Sequence, residues 1–319
     1  MPVSQGFYGI PHPETLGLWW FRKQITIAPT SDGALVNYVM RLYINRSVGI
    51  DSGNNVYVGT KCLANYNDIR FTASDGKIPL CYWIETYSDS QAMVWIRFDS
   101  IKASPNNTIF YLYYGNVNAA AYSSGVKTFP VFDDFDGPTL NTTLWTQRGG
   151  VATFSGSTLI LTGNNTNESK LMANLGGAKN FVLRTRGKIN ALYRLGVSVE
   201  TDITNGRGYC YLIKETELKF YFLDDTVAWG STYDAAAVDT YYLMEIWHDG
   251  TNIKAAINDG AVRSWARTGR GGTLALSSSQ STSVATFDWA FIRYLSPTEP
   301  TWSAWGNEDA STTDYQETT

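Results

Sequence analysis

The sequence is poor in histidine, and this limits the catalytic chemistry open to it. His12 and His248 are the two histidines among 319 residues. One lies in a proline-rich stretch and the other at a hairpin turn. Neither a Ser-His-Asp triad nor a histidine metal centre is therefore expected. Glycine-rich phosphate-binding loops are absent as well. Hydrolases of the triad type and nucleotide-dependent enzymes are therefore disfavoured.

Cysteine is also scarce. Cys62, Cys81 and Cys210 allow at most one disulfide. A Cys62–Cys81 bridge is one interpretation, and it would stabilise the fold by about 3 kcal/mol. The odd number of cysteines and the lack of CxxC spacing favour the other interpretation, that of buried free thiols.

Positive charge is sparse and scattered. Charged residues make up 17% of the chain, the net charge is -4, and no run of lysine or arginine occurs. Phosphate binding requires clustered positive charge, so we expect no nucleic-acid partner. Two short groups of basic residues offer contacts for an anion, although a solvated loop or strand face is the favoured interpretation of both: Arg267 with Arg270, and Arg184 with Arg186 and Lys188.

Long apolar runs are missing too. No stretch approaches the ~18 apolar residues that a membrane span needs. The N-terminus, MPVSQGFYGIPHPETLG, has neither a basic n-region nor an apolar h-region. We therefore expect no signal peptide in this chain. Either a leader has been removed, or the protein reaches the exterior by another route, such as inside an assembled particle.

What the chain does contain is typical of β-structure. Aromatic residues make up 14% of the chain, and short runs rich in Thr, Val, Ile, Tyr and Trp alternate with turn formers such as SDG, DSGNN and SPNN. This spacing predicts an all-β protein of two tandem antiparallel β-sandwiches of jelly-roll type. The predicted parts are an extended N-terminal arm (1–18), a first sandwich (19–129), a second sandwich (130–308) and a polar tail (309–319).

Four motifs in the first half resemble those of an uncharacterised domain common in large bacterial and archaeal surface proteins: WWFRKQITI, DIRFTASDGK, MVWIRF and FYLYYGNVNA. That domain typically precedes a concanavalin A-like, laminin-G-like sandwich of the kind found in lectins and glucanases. In the second half, DDFDGPTLNTTLW resembles the first strand of such sandwiches and FDWAFIRYLSPTEPTWSAWGNE the last. The resemblance implies the fold and supplies no catalytic residue, because fold does not determine function.

The segment VETDITN carries the strongest candidate chemistry. Laminarinase-like glycosidases have the motif Glu-x-Asp-x-x-Glu, or a form one residue shorter, on a strand, and Glu200 and Asp202 match its first two carboxylates. Strand alternation places both on one outward face. Thr204 and Asn205 stand where the acid is expected, and a retaining mechanism needs two carboxyl groups ~5 Å apart. We therefore expect no catalytic residue unless another carboxylate, such as Glu245, fills the gap; otherwise the pair is simply solvated.

Eleven tryptophans favour sugar stacking, because an indole packs against the apolar face of a pyranose. Most belong to strand patterns and are expected in the core. Trp229 and Trp265 lie in polar or glycine-rich surroundings, where exposed binding aromatics and simple loop packing are equally good interpretations. Strand parity also places Tyr221 outward. The predicted ligand-binding residues are Trp229, Trp265, Glu200, Asp202 and Tyr221.

Hard oxygen ligands occur at one turn. Asp133, Asp134 and Asp136 in DDFDG are suited to a structural calcium ion, although an ordinary turn at a strand edge is the favoured alternative. No other cofactor is expected.

Together these features predict a non-enzymatic surface protein that recognises a glycan or another ligand of a host or cell surface. The absence of a leader favours a virion component such as a tail fibre, receptor-binding or decoration protein. Phe7, Tyr8, Ile10 and Leu16, among the prolines of the arm, predict an oligomer or larger assembly whose neighbouring subunits contact residues 1–18. A laminarinase-like glycoside hydrolase, or its carbohydrate-binding module, is the alternative.

Overall fold

The computed structural model describes residues 19–163, 169–175, 180–190, 194–214, 217–224, 228–269, 271–279 and 284–310. The predicted N-terminal arm lies outside these residues, as does nearly all of the predicted tail. The chain forms two compact units. The first comprises the described residues up to Thr128 and from Thr298 onward, and the second is Phe129–Pro297.

The secondary structure is almost entirely β. In chain order, the first unit begins with β1 (Phe21–Ile27), β2 (Leu35–Asn45), β3 (Asn55–Tyr57), a 3-10 turn (Gly59–Lys61), β4 (Arg70–Ala73), β5 (Tyr82–Tyr87), β6 (Gln91–Ile101), β7 (Thr108–Tyr114) and a one-turn helix α1 (Gly125–Thr128). The second unit contains β8 (Val131–Asp133), β9 (Trp145–Arg148), β10 (Val151–Phe154), β11 (Leu159–Thr162), β12 (Ser169–Ala173), β13 (Phe181–Ile189), β14 (Arg194–Thr201), β15 (Tyr209–Lys214), β16 (Lys219–Asp224), β17 (Ala228–Ala235), β18 (Tyr242–His248), β19 (Asn252–Ile257), β20 (Arg263–Ala266), β21 (Thr273–Ser279) and β22 (Val284–Tyr294). The last described strand is β23 (Trp302–Ala310).

The first unit is a sandwich of two four-stranded sheets, ordered β23-β1-β7-β4 and β3-β2-β6-β5. Alternate residues of the long strands face the core, as in β2, where Tyr38, Met40, Leu42 and Ile44 are buried. Every strand pair is antiparallel except β2 with β3. The period-2 pattern of the sequence therefore produces one apolar face on each sheet, and the two faces enclose the core.

The strand β23 corrects the predicted domain boundary. The second sandwich was expected to run to residue 308, but β23 pairs with β1 in the first unit, with Ile27 opposite Trp302. Trp302 and Trp305 pack against the core of the first unit, and Tyr38 donates a hydrogen bond to Glu299 (2.6 Å). The sequence of β23, WSAWGNEDA, has no regular apolar alternation, so it does not reveal that this strand completes the edge beside β1.

The second unit is a larger sandwich. One sheet has the order β10-β11-β22-β13-β18-β19-β20, with β8 also paired to β22, and the other has the order β17-β16-β15-β14-β21-β12-β9. In β18, buried Tyr242, Met244 and Ile246 alternate with partly exposed residues, which confirms the predicted hairpin strand. The predicted class, all-β with tandem antiparallel sandwiches, is confirmed.

All three cysteines are free thiols. Cys62 and Cys210 are buried, and Cys81 is partly buried. Burial raises the pKa of the Cys62 thiol to about 12, with a further contribution from the charge of Asp68. Of the two interpretations of the cysteines, the structure supports free thiols.

Within the described residues, no helix is long and apolar enough to cross a membrane.

Candidate functional site

Glu200 does not face outward. The pairing of β14 with β21 shifts register between Ser198 and Thr201, and Glu200 adopts a left-handed backbone with φ of 57°. Such a bulge interrupts the alternation of side chains along a strand. The carboxylate of Glu200 consequently turns towards the interior of the sandwich, where only 3% of the side chain is exposed.

Both carboxylate oxygens of Glu200 have partners there. Oε1 lies 2.9 Å from Nδ1 of His248, and Oε2 accepts the N–H of Gly271 at 2.5 Å. His248 is itself 4% exposed and extends the inward row of β18. A Cβ at Gly269 would lie 3.0 Å from Cε1 of His248, so the loop can approach the imidazole this closely because glycine stands there. Glu200 thus links β14, β18 and the loop before β21.

Asp202 has a different role. It is exposed in the turn between β14 and β15, where its carboxylate accepts the N–H of Thr204 and a side-chain N–H of Asn205, both at 2.7 Å. The hydrogen bond from Thr204 lowers the pKa of Asp202. One member of the predicted acid pair is therefore an interior link and the other a turn residue, so the predicted common outward face is not formed.

Glu245 does not take the place of the missing acid. It lies on the outward row of β18, in the other sheet, 3.2 Å from Nη1 of Arg184. Arg184 is 1% exposed and also binds both carboxylate oxygens of Asp259, at 2.9 and 3.0 Å. Because Glu200 points between the sheets and Glu245 away from them, the two carboxylates do not face a common substrate position.

Tyr221 points outward as predicted, but the surface around it differs from the prediction. Its hydroxyl donates to Glu217, and the side chain is buried at 5% exposure. An apolar cluster of Cys210, Leu212 and Leu223 occupies the same face of the sheet. Tyr221 therefore lies in a buried and largely apolar part of the sheet, and its predicted ligand-binding role gains no support.

The two predicted binding tryptophans lie in different positions. Trp229 belongs to β17, with its backbone opposite Leu223, and its side chain is outside the described part of the chain. Trp265 lies in β20, at the edge of the larger sheet, and is partly exposed. Trp265 also packs against the core, from a strand and not from a loop, and its ligand-binding role stays a prediction.

Trp265 is the centre of an aromatic group drawn from four strands. Its indole stacks on Phe222, with centroids 4.3 Å apart and planes at 13°, and meets the ring of Tyr233 edge-on at 5.2 Å. The indole N–H donates to the hydroxyl of Tyr233 at 2.6 Å. Tyr211 lies 5.4 Å from the indole. Each polar end of these rings has a partner, as buried aromatic residues require.

An ion pair borders these rings. Nη2 of Arg263 lies 2.8 Å from Oδ1 of Asp234, while Tyr211 donates its hydroxyl to Oδ2 at 2.6 Å. The Arg263 guanidinium also lies over the ring of Tyr233 at 5.6 Å. Its hydrogen bond is the main cause of the lowered pKa of Asp234. About one third of each charged side chain is exposed, 34% for Arg263 and 32% for Asp234.

We call this group, together with Arg267, the Trp265 cluster; its members are Tyr211, Phe222, Tyr233, Asp234, Arg263, Trp265 and Arg267. Sequence reasoning found Trp265 but missed Tyr233, Asp234 and Arg263. The alternate spacing Arg263-x-Trp265-x-Arg267 was the available signal, because alternate residues of a strand share a face. The residues that β15, β16 and β17 add to the cluster give no such signal, because packing between distant parts of the chain brings them together.

The predicted calcium site gains no support. Oδ1 of Asp133 accepts the N–H of Phe135 and Oδ2 accepts the indole N–H of Trp145, both at 2.9 Å. Asp133 therefore joins a turn to the core. Among the described residues, no three His, Cys, Asp or Glu side chains converge as a metal site would require.

A family described as "Domain of unknown function (DUF2341)" matches residues 65–148, which overlaps the range that resembled an uncharacterised domain. No curated protein matches the chain.

Several solved structures are similar to about half of the chain. The carbohydrate-binding module CBM66 from Bacillus subtilis is 16% identical, with 48% of this chain and 97% of that chain covered and a TM-score of 0.41. The Bacillus licheniformis β-glucanase is 11% identical, with coverages of 52% and 97% and a TM-score of 0.39. A prokaryotic β-1,3-1,4-glucanase (lichenase) from a mouse hindgut metagenome is 10% identical, with coverages of 52% and 99% and a TM-score of 0.41. These similarities assign neither a ligand nor an activity to this chain.

Proposed function

We propose that the second unit recognises glycans without cleaving them, and that the Trp265 cluster is the recognition site. The observation that carries this proposal is the combination of a partly exposed indole with a partly exposed ion pair at one sheet edge. Sugars are bound by aromatic faces together with a few fixed polar groups. The cluster offers both within a few ångströms.

The polar groups are held in place before a ligand arrives. Asp234 accepts hydrogen bonds from Arg263 on both oxygens and from Tyr211 on Oδ2, and the hydroxyl of Tyr233 accepts the indole N–H. Pre-organised groups lose little conformational entropy on binding. The carboxylate and the guanidinium can then accept from and donate to sugar hydroxyls without rearrangement.

The arrangement of the acids supports binding rather than hydrolysis. Retaining glycosidases need two carboxyl groups ~5 Å apart, and inverting ones need ~6.5–9.5 Å, on either side of the substrate bond. Glu200 is engaged in the interior with His248 and Gly271, and Glu245 lies on the outward side of the other sheet. These positions support the proposal that a bound sugar is not cleaved.

We further propose an exterior setting for the chain, as an adhesion or structural protein of a cell surface or virion. The resemblance of the first half to domains of surface proteins supports this setting. Residues 1–18 are proposed to contact a neighbouring subunit. Deleting residues 2–16 should leave a folded protein that no longer assembles, as measured by light scattering; loss of folding would show instead that this segment belongs to the first core.

A glycan array tests the proposed function. The protein should bind a subset of glycans, and Trp265→Ala should lose that binding. Trp247→Ala is the matched control, because Trp247 is a partly exposed indole of the same unit on the outward row of β18. Binding is compared below the unfolding transition of each variant, since Trp265 also contributes to packing. The absence of any glycan ligand, or equal loss in both variants, would contradict the proposal.

A reducing-end assay on β-glucans and galactans tests the non-enzymatic part. No turnover is expected above that of a buffer blank. Robust turnover that Glu200→Gln abolishes would show that the chain is a glycosidase.

A further inference from the structure

Two arginines flank the Trp265 indole. Arg263, Trp265 and Arg267 occupy alternate positions of β20 and the residue that follows it. The Arg263 guanidinium lies over the ring of Tyr233 at 5.6 Å, and that of Arg267 lies 5.2 Å from the ring of Phe222. These are the same two rings that the indole contacts, at 5.2 and 4.3 Å. The two cations therefore lie on the two sides of one aromatic platform.

The two arginines differ in how well their charge is neutralised. Arg263 and Asp234 are in direct hydrogen-bond contact and are about equally exposed, so they form a balanced pair. The acid beside Arg267 is Asp224, which is only 7% exposed, whereas Arg267 is 39% exposed. Nε of Arg267 lies 3.6 Å from Oδ2 of Asp224, beyond hydrogen-bond distance. Arg267 and Asp224 thus form an ion pair in which the guanidinium is the member that solvent reaches.

Arg267 is also constrained in its orientation. Its Nη1 donates to the carbonyl of Ala266 at 2.7 Å, and the guanidinium packs near the ring of Phe222. A guanidinium held in this way can present its remaining N–H groups to a planar carboxylate, which it binds more strongly than a neutral acceptor.

We propose that the Trp265 cluster selects acidic glycans, meaning oligosaccharides whose sugars carry a carboxylate. The sugar contacts the indole, its carboxylate binds Arg267, and its hydroxyls meet the Arg263–Asp234 pair. This inference rests on the proposed function, because it names the class of ligand for that site. A neutral glycan would make no charge-assisted contact with the exposed guanidinium of Arg267.

Oligogalacturonides and their carboxyl-reduced, neutral counterparts are the probes, and calorimetric titration is the measurement. The acidic form should bind at least about tenfold more tightly, as expected for a charge-assisted hydrogen bond. Raising the salt concentration should weaken binding of the acidic form and leave the neutral form unchanged.

Variants locate the effect. Arg267→Gln should remove the preference for the acidic form while retaining the weaker binding of the neutral form. Arg207→Gln is the matched control, because Arg207 is an exposed arginine in the turn between β14 and β15. It should behave like the unmodified protein. Unfolding temperatures are recorded for both variants, so that a loss of folding is distinguished from a loss of contact.

The outcomes separate the two proposals. If the acidic and neutral forms bind equally, and Trp265→Ala weakens this binding but Arg267→Gln does not, the proposed acidic preference is wrong. Glycan recognition by the Trp265 cluster would still be supported. Binding of neither probe, with no ligand on a glycan array, would overturn both. A preference for the acidic form that Arg207→Gln also removes would show that general surface charge, and not this cluster, attracts the anion.

Discussion

Two acid–base pairs in the second unit have opposite settings. The Glu200–His248 pair is almost entirely buried, and both oxygens of the carboxylate are engaged by the protein itself. The Arg263–Asp234 pair is about one third exposed and borders a partly exposed indole. A motif search draws attention to the carboxylate of the first pair, Glu200, whereas the second pair has the exposure that ligand contact requires. A carboxylate therefore contributes to ligand binding through its access to the ligand, and not through its spacing in the sequence.

The largest expected effect comes from breaking the buried pair. Glu200→Ala leaves the N–H of Gly271 and Nδ1 of His248 without their acceptor in the interior, and this should lower the free energy of unfolding by about 3 kcal/mol. Urea denaturation measures the change. Asp202→Ala, in the exposed turn, is the control and should change stability by less than about 1 kcal/mol. Equal effects of the two substitutions would contradict the assigned roles.

A smaller effect on stability is expected at the Trp265 cluster. Tyr233→Phe removes the acceptor of the Trp265 indole N–H and should lower the free energy of unfolding by about 1 kcal/mol. The emission maximum of tryptophan fluorescence should shift, because the environment of one indole changes. An unchanged spectrum together with unchanged stability would show that this hydrogen bond contributes nothing to the cluster.

The smallest expected effect is a dependence on pH. Arg263 lowers the pKa of Asp234 below 3.8, so this pair stabilises the fold above that pH, and the contribution is lost as the pH falls through the lowered pKa. Because both side chains are about one third exposed, the contribution should stay below about 1 kcal/mol. Asp234→Asn should therefore unfold with a shallower acid slope than the unmodified protein in the same pH range. Identical slopes would show that the pair does not contribute.

The sequence predicted those features that depend on local alternation. Strand parity correctly placed Tyr221 on the outward face, and β18 shows the same alternation, with Met244 and Ile246 in the core. It failed at Glu200, because one residue with a left-handed backbone reversed the facing of the side chain. No local sequence pattern predicts such a bulge, because its position depends on how β14 pairs with β21.

Long-range pairing explains the remaining differences. Trp302 and Trp305 both pack against the core of the first unit, where their strand pairs with β1, at the opposite end of the chain. The Trp265 cluster likewise gathers residues from β15, β16, β17 and β20, whose proximity follows from the stacking of two sheets. Trp265 could therefore be proposed from its polar surroundings, whereas its partners could not.

The most direct test of the account compares Glu200→Ala and Trp265→Ala for one glycan that the unmodified protein binds. Titrations are carried out at a temperature where both variants are folded. The account predicts that Trp265→Ala weakens binding by at least about tenfold, because the aromatic contact is lost, while Glu200→Ala binds as the unmodified protein does. Loss of binding in Glu200→Ala together with full binding in Trp265→Ala would contradict this prediction. The binding site would then lie at Glu200 and Asp202, and not at Trp265.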